Sequence, residues 1–265
     1  MLKLTCSGGS CRAKVSIGRR TITASNNIEM DETNFPNPIA IDGPAASGKS
    51  TIGRMLADRL GYLFLDTGCM YRAVTLAALR QDIDPNIEEL VIQIAVQSDM
   101  DIVSVDGKSD GRLYTVLLNG NDVTWEIRSN EVDAHVSQVS SYLGVRENLV
   151  MRQRELSSRG CVVVVGRDIG TVVLPEAPLK LYIVASAEER ARRRWLEQKD
   201  RTAGMDFQEI LTDIIRRDKF DSSRIHSPLR AAGDAMLIDT TGLNPVQVID
   251  QILALAPFRN HLNSD

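Results

Sequence analysis

The sequence predicts a three-layer α/β/α fold, in which a parallel β-sheet is covered by helices on both faces. Apolar runs at residues 39–41, 161–165 and 179–185 are typical of strands buried on both sides. The first and third of these strands run into segments with the apolar periodicity of a helix. Alternation of this kind indicates right-handed crossovers, which bring the carboxyl ends of the strands to one edge of the sheet. We therefore expect the functional site at that edge.

Residues 39–51 connect the first predicted strand to a helix through the pattern G-x-x-x-x-G-K-[ST]. This pattern is a P-loop, in which Gly43 and Gly48 let backbone N–H groups face phosphate oxygens at a helix N-terminus. Lys49 can reach the β- and γ-phosphates, and the Ser50 hydroxyl is a predicted ligand of Mg²⁺. The predicted nucleotide-binding residues are Gly43, Pro44, Ala45, Ala46, Ser47, Gly48, Lys49, Ser50 and Thr51.

The remaining elements follow in order along the chain. Gly61 is expected to end the first helix, and Ser186 with Glu189 forms a predicted capping box. Residues 101–118 alternate in polarity around turn residues, which predicts a β-hairpin outside the main sheet, in an inserted subdomain. The other predicted elements are strands at 62–68 and 236–242 and helices at 69–80, 87–97, 127–141, 145–157, 187 onward, 207–220 and 244 to about 256.

Bulk composition restricts the function classes. The 265 residues, 43% of them hydrophobic, suit one large domain with insertions. A net charge of -4 disfavours general nucleic-acid binding, and no apolar run approaches the roughly 20 residues that span a bilayer. Four cysteines without CxxC spacing fit reduced thiols. We expect a cytoplasmic monomer without nucleic-acid or membrane partners.

The first 38 residues differ from the rest of the chain. Five basic residues precede the first acid, Glu29, and small polar residues fill the gaps. We expect residues 1–38 to be a disordered basic extension. Two alternatives stay open: residues 1–29 are an organellar transit peptide, or translation begins at Met30.

Other motifs decide among P-loop classes. A GTP switch needs an N-K-x-D guanine-reading motif, which the sequence lacks, and its D-x-x-G at 239–242 follows the last strand instead of an early one. Asp66-Thr67-Gly68 with Met70-Tyr71-Arg72, and Gly166-Arg167-Asp168 with Ile169-Gly170-Thr171, instead make the chain resemble the bacterial type of cytidylate kinase. The match continues through EIR at 126–128, SQV at 137–139, VRE at 145–147, RRD at 216–218, and Asp221 and Arg224 before Ser227-Pro228-Leu229.

This resemblance covers roughly residues 39–256 and implies transfer of the γ-phosphoryl group of ATP to CMP or dCMP, with Mg²⁺. It also implies a P-loop NTPase domain with an acceptor-binding insertion at about 98–159 and a helical lid at about 190–216, leaving a tail at 257–265. A monophosphate is already largely a dianion at neutral pH, so no protein base is needed, and none of the three histidines is expected to be catalytic. The implied catalytic residues are Lys49, Arg193, Arg194 and Arg217.

The resemblance also assigns the acceptor nucleotide. Because cytosine offers an N4 amino donor, its reader should combine a carboxylate with arginines. By similarity, Asp168, Arg146, Arg224 and Thr67 contact the pyrimidine, Arg72 and Arg167 the phosphate, and Ser137, Arg217 and Asp221 the ribose.

Several alternatives remain at this stage. Asp168 could hold Mg²⁺, Asp221 could cap a helix or pair with Arg224, and the arginines at 190–194 could be a solvated helix face. The family often has serine in place of Thr67, whose extra methyl could narrow the pocket. The rival functions are a P-loop kinase acting on UMP, AMP or shikimate, and a nucleotide-binding regulator without turnover.

Overall fold

The computed structural model describes residues 35–103, 110–199 and 206–255. Its central sheet has five strands that all run parallel, which confirms the predicted α/β fold. In spatial order the strands are β2 (Leu63–Asp66), β6 (Val162–Gly166), β1 (Ile39–Asp42), β7 (Leu179–Val184) and β8 (Met236–Asp239).

Helices cover both faces of this sheet. Alternate side chains of β1 point in opposite directions, so Ile41 packs with Leu56 and Ile252 on one face. Ala40 packs with Val150 on the other. The helices are α1 (Lys49–Leu60), α2 (Gly68–Leu79), α3 (Glu88–Gln97), α4 (Asn130–Val139), α5 (Leu143–Ser157), α6 (Ala187–Lys199), α7 (Phe207–Ser223) and α8 (Pro245–Leu253).

A second, antiparallel sheet lies apart from the first, as the change of sequence period predicts. It contains β3 (Met100–Val103), β4 (Thr115–Leu118) and β5 (Asn121–Asp122). The third strand was not predicted; Asn119 and Gly120, both at positive φ, form the two-residue turn that leads into it. Tyr114 and Val116 belong to the same apolar cluster as residues of α2 to α5, so the small sheet has its own core.

Local boundaries agree with the sequence where a cap is specific. Gly61 adopts the left-handed conformation that ends α1, and Asn244 and Gln247 form a capping box at the start of α8. The predicted box at Ser186 is only half formed. The Glu189 N–H donates to the Ser186 hydroxyl, but the Glu189 carboxylate pairs with Arg192 and Arg193 instead of returning to the helix start.

Three further features of the fold differ from the prediction. The helix predicted from 127 begins at Asn130, after a 3₁₀ turn at Glu126–Arg128, and a π-helical turn at Ile169–Val173 was not predicted. The predicted N-terminal extension at 1–38 ends too late, because residues 35 and 37 already contact the fold. The Phe35 carbonyl accepts a hydrogen bond from Tyr62, and the Asn37 side chain accepts one from the Val162 N–H. Residues 1–34 and the predicted C-terminal tail at 257–265 lie outside the described residues. In the part of the chain that is described, no helix is long and apolar enough to cross a membrane.

Candidate active site

The P-loop connects β1 to α1 at the carboxyl edge of the sheet. A Cβ atom at Gly43 would lie 2.1 Å from the Ile183 carbonyl oxygen of β7, so only glycine fits there. Gly48 has φ +90°, a conformation that glycine adopts readily, immediately before α1. Within the described residues, the buried Ser47 hydroxyl has no hydrogen-bond partner. An unpaired buried hydroxyl beside the positive end of a helix suits a loop that receives phosphate oxygens.

Lys49 is buried, and its ammonium group donates to the Pro44 carbonyl at 2.9 Å. Burial, with Arg167 nearby, lowers the pKa of Lys49 to about 7, although Asp66 and Asp42 act in the opposite direction. A phosphate anion beside this side chain would favour its charged form. The donor set of the loop therefore fits the triphosphate of a nucleotide.

Asp42, at the end of β1, is a buried carboxylate that the sequence analysis did not single out. Burial raises its pKa to about 7, although N–H groups of Gly170 and Ile169 donate to its two oxygens at 2.8 Å each. These bonds attach the π-helical turn, and with it the preceding Arg167-Asp168 pair, to the strand that carries the P-loop.

A hydrogen-bonded chain joins the P-loop to the small sheet. The Ser50 hydroxyl donates to the Asp66 carboxylate at 2.8 Å, and the Tyr114 hydroxyl donates to the same oxygen at 3.2 Å. Arg128 in turn donates to the Tyr114 hydroxyl at 3.2 Å. The Ser50 hydroxyl and the Asp66 carboxylate are hard oxygen groups of the kind that Mg²⁺ prefers, so the pair fits this ion.

One cavity of about 1170 Å³ extends from the P-loop to α4 and α5. It brings together most of the predicted site residues from both nucleotide assignments. Gly43, Pro44, Ser137 and Asp221 do not line it. The predicted residues that line it are Ala45, Ala46, Ser47, Gly48, Lys49, Ser50, Thr51, Thr67, Arg72, Arg146, Arg167, Asp168, Arg193, Arg194, Arg217 and Arg224.

At the acceptor end, Asp168 and Arg146 form a buried ion pair. Arg146 also donates to the Ser140 carbonyl at 2.9 Å, and its guanidinium lies 5.3 Å from the centre of the Tyr71 ring. The Thr67 hydroxyl donates to the Val165 carbonyl at 3.0 Å and keeps its acceptor capacity. Asp168 therefore contacts an arginine, whereas the carboxylate beside the predicted Mg²⁺ ligand is Asp66. This arrangement disfavours the alternative in which Asp168 holds the metal.

Asp221 lies behind two arginines of the cavity wall. Its carboxylate accepts from Arg167 at 2.5 Å and pairs with Arg224, and only 1% of its side chain is exposed. The pairing with Arg224 is the alternative left open by the sequence. Contact with a ribose would require Asp221 to be uncovered. Ser137 presents its carbonyl to Arg224 at 3.5 Å, while the Ser140 hydroxyl, one turn further on, accepts from Arg224 at 3.0 Å and lines the cavity.

The arginines of α6 point in different directions, so they do not form one solvated helix face. Arg190 is buried and bonds to Asp218 and to the Ala45 carbonyl, so it is part of the scaffold. Arg192 is 56% exposed. Arg193 donates to the Ser47 carbonyl at 3.2 Å and to Thr240, which places it at the P-loop.

Arg194 turns instead toward α4, where Asp133 accepts its hydrogen bond at 2.8 Å. The Asp133 carboxylate also accepts from Arg72 at 2.5 Å and lies 4.0 Å from Arg217. Burial, together with the nearby charges of Arg167 and Arg72, lowers the pKa of Arg217 to about 9. This cation therefore remains charged at neutral pH. Arg72, Arg194 and Arg217 thus form a cationic cluster around Asp133, in the cavity that also contains the P-loop and the Asp168–Arg146 pair.

Comparison with known proteins decides the family. A sequence model of cytidylate kinase matches residues 39–257. The chain belongs to the cytidylate kinase family. This finding confirms the resemblance inferred from the motifs around Asp66 and Gly166.

Individual cytidylate kinases match over nearly their whole length. The chain is 50% identical to that of Mycolicibacterium paratuberculosis over 227 residues, which cover 84% of this chain and 96% of the relative. It is 49% identical to that of Roseiflexus castenholzii, covering 83% and 93% of the two chains. It is 45% identical to that of Bacillus subtilis, covering 81% and 94%.

Several cavity residues of this cytidylate kinase family member were missed by sequence reasoning. Asp66 was quoted only as part of a motif, although its position at the end of β2 is a signal for a site residue. Tyr114 and Asp133 carried no local signal, because the carboxylate that Tyr114 contacts and the arginines that Asp133 contacts lie at least 48 residues away in the chain. At the donor end, the segment after β8 also lines the cavity: Thr240, Gly242, Leu243, Asn244 and Pro245.

Proposed function

We infer that the chain transfers the γ-phosphoryl group of ATP to CMP or dCMP, giving ADP and CDP or dCDP. The observation that carries this inference is a single cavity with the P-loop lysine at one end and a buried carboxylate–arginine pair at the other. Membership of the cytidylate kinase family supports the same substrate class.

At the donor end, the P-loop N–H groups and Lys49 hold the phosphates of ATP. Ser50 and Asp66 are the residues that would hold Mg²⁺, which when bound neutralises charge on the β- and γ-phosphate oxygens. Arg193 covers the phosphates, a role that its contact with the P-loop from α6 supports.

At the acceptor end, the monophosphate is already a nucleophile at neutral pH, so the residues have to position it and offset its charge. Arg72 and Arg167 hold the acceptor phosphate. Arg194 and Arg217 lie in the same cationic cluster, where they stabilise the charge that spreads over the transferred group. The segments at about 98–159 and about 190–216 act as acceptor-binding insertion and lid.

The base is recognised through its exocyclic group. The Asp168 carboxylate accepts from the cytosine N4 amino group, while Arg146 and Arg224 donate to its acceptors and Thr67 completes the pocket. Uracil would set its O4 acceptor against this carboxylate and leave buried polar groups unpaired, which disfavours UMP. Arg217, which lines the cavity, serves the ribose, whereas Ser137 and Asp221 do not line it and would reach the ribose only after the ion pairs that cover Asp221 have opened.

A panel of acceptors tests this function. Purified chain is mixed with MgATP and each of CMP, dCMP, UMP, AMP, GMP and shikimate, and ADP release is followed together with the phosphorylated product. We expect turnover with CMP and dCMP that exceeds turnover with UMP by at least about tenfold. Faster turnover with UMP, AMP or shikimate would identify one of the rival kinases. ATP binding without any product would identify a regulator.

We also propose a cytoplasmic monomer without nucleic-acid or membrane partners. The net charge of -4 argues against general nucleic-acid binding, and the dispersed cysteines fit a reducing compartment. Light scattering measures the oligomeric state. Mass spectrometry of the native N-terminus distinguishes an intact basic extension from a cleaved organellar peptide.

A further inference from the structure

Asp133 is a carboxylate that none of the assignments above uses. It lies in the first turn of α4, the helix that Ser129 caps, and 20% of its side chain is exposed. Its two oxygens contact arginines from three other helices: Arg72 of α2 at 2.5 Å, Arg194 of α6 at 2.8 Å and Arg217 of α7 at 4.0 Å.

All three arginines belong to the set assigned above to phosphate, ribose or the transferred group. A carboxylate presents two acceptor oxygens to a guanidinium, as a phosphate does. Burial acts to raise the pKa of Asp133, but Arg72 and Arg194 outweigh it and hold this pKa below its ordinary value. The group is therefore anionic at neutral pH, and its charge and shape match those of the ligand that the arginines are expected to receive.

We propose that Asp133 is a resident stand-in for the acceptor phosphate, which competes with that phosphate for Arg72 and Arg194 and so sets how tightly the acceptor binds. The proposal rests on the proposed function, because that function assigns these arginines to the nucleotides. An incoming monophosphate has to displace the carboxylate from these arginines. The observed association constant is then the intrinsic association constant multiplied by the fraction of molecules in which the arginines are free.

The stand-in also has a structural effect in the free protein. Three guanidinium groups at this spacing repel one another, and Asp133 offsets that repulsion while it ties α4 to α6. Arrival of a phosphate releases α6 from α4. The competing interpretation is that Asp133 braces the arginines throughout, including when the nucleotide is bound.

The two interpretations predict opposite effects of Asp133→Asn, which keeps the shape of the side chain and removes its charge. Calorimetry measures the affinities for CMP and for cytidine, which lacks the phosphate. We expect about tenfold tighter CMP binding in the variant and unchanged cytidine binding. Asp58→Asn is the matched control, because Asp58 pairs only with Arg54 among the contacts described, 58% of its side chain is exposed, and it does not line the cavity. This control should leave both affinities unchanged.

Weaker or unchanged CMP binding in Asp133→Asn would overturn the proposal, and so would an equal gain for cytidine. A structure of the wild-type chain with CMP tests it without any variant. The distance from Asp133 Oδ1 to Arg72 Nη2 should then exceed about 3.5 Å, and an ion pair that persists contradicts competition. If the wild-type chain forms no CDP, the proposed function itself fails. If it forms CDP but the variant binds CMP no more tightly, only the stand-in role fails.

Discussion

The two ends of the cavity are prepared for anions in different ways. At the donor end the backbone forms the site: Gly43 packs against β7, and the Lys49 ammonium donates to the Pro44 carbonyl. At the acceptor end the cations already have carboxylate partners, such as Asp133 for Arg72 and Asp168 for Arg146. A preformed donor site needs little rearrangement, whereas at the acceptor end each ligand group has to compete with an ion pair. Binding at the two ends should therefore respond differently to mutation and pH.

The largest expected effect is at the donor end. Lys49→Ala removes a cation that no neighbouring side chain in the P-loop can replace, so we expect kcat/KM for ATP to fall by about 10²- to 10³-fold. Coupled ADP release measures the change. Lys219→Ala, at an exposed position of α7 outside the cavity, is the control and should retain full activity. A loss smaller than about tenfold would mean that Lys49 does not hold the phosphates.

An intermediate effect is expected at the acceptor end. Asn in place of Asp168 offers a donor as well as an acceptor, so it can pair with uracil O4 as well as with cytosine N4. We expect the CMP-to-UMP ratio of kcat/KM to fall by about tenfold or more, with ATP affinity unchanged.

The control for this change is Asp218→Asn, which alters a partly exposed carboxylate paired with a buried arginine that lies outside the base-reading set. Its CMP-to-UMP ratio should match that of the wild type. An unaltered ratio in Asp168→Asn would remove Asp168 from base recognition.

The smallest effect is a proton linkage at the donor end. Burial lowers the pKa of Lys49 to about 7, so the free protein loses this positive charge as the pH rises through 7. Bound phosphates favour the charged form and raise this pKa, so ATP binding takes up a proton above pH 7. Between pH 7 and pH 8 we expect ATP affinity to fall by about fivefold.

Calorimetry at pH 8 in buffers of different ionisation enthalpy counts these protons. CMP binding serves as the comparison, since its phosphate is fully ionised at that pH and Lys49 lies at the other end of the cavity. Equal apparent enthalpies for ATP in all buffers would exclude proton uptake by Lys49.

Sequence reasoning succeeded where the determinant is local. The P-loop between β1 and α1, the end of α1 at Gly61 and the start of α8 at Asn244 each depend on residues within one or two turns. The buried strands were predictable because a fully apolar run such as 162–165 has few alternatives in an α/β fold.

It failed where distant residues compete for the same group. Glu189 had the spacing of a capping box, but Arg192 and Arg193 offered its carboxylate charged partners. Asp133 looked like any polar residue of a helix, because Arg72 and Arg194 each lie 61 residues away in the chain. An ion pair of this kind follows from the packing of helices, which no local pattern encodes.

The contact between Gly43 and Ile183 has a consequence for protein engineering. Even a methyl group at Gly43 would collide with the backbone of β7. The P-loop backbone therefore has to keep its close contact with this strand at the carboxyl edge of the sheet. Directed evolution toward a different phosphate donor would then have to succeed at the rim, around Thr240 and Pro245, which line the cavity outside the P-loop.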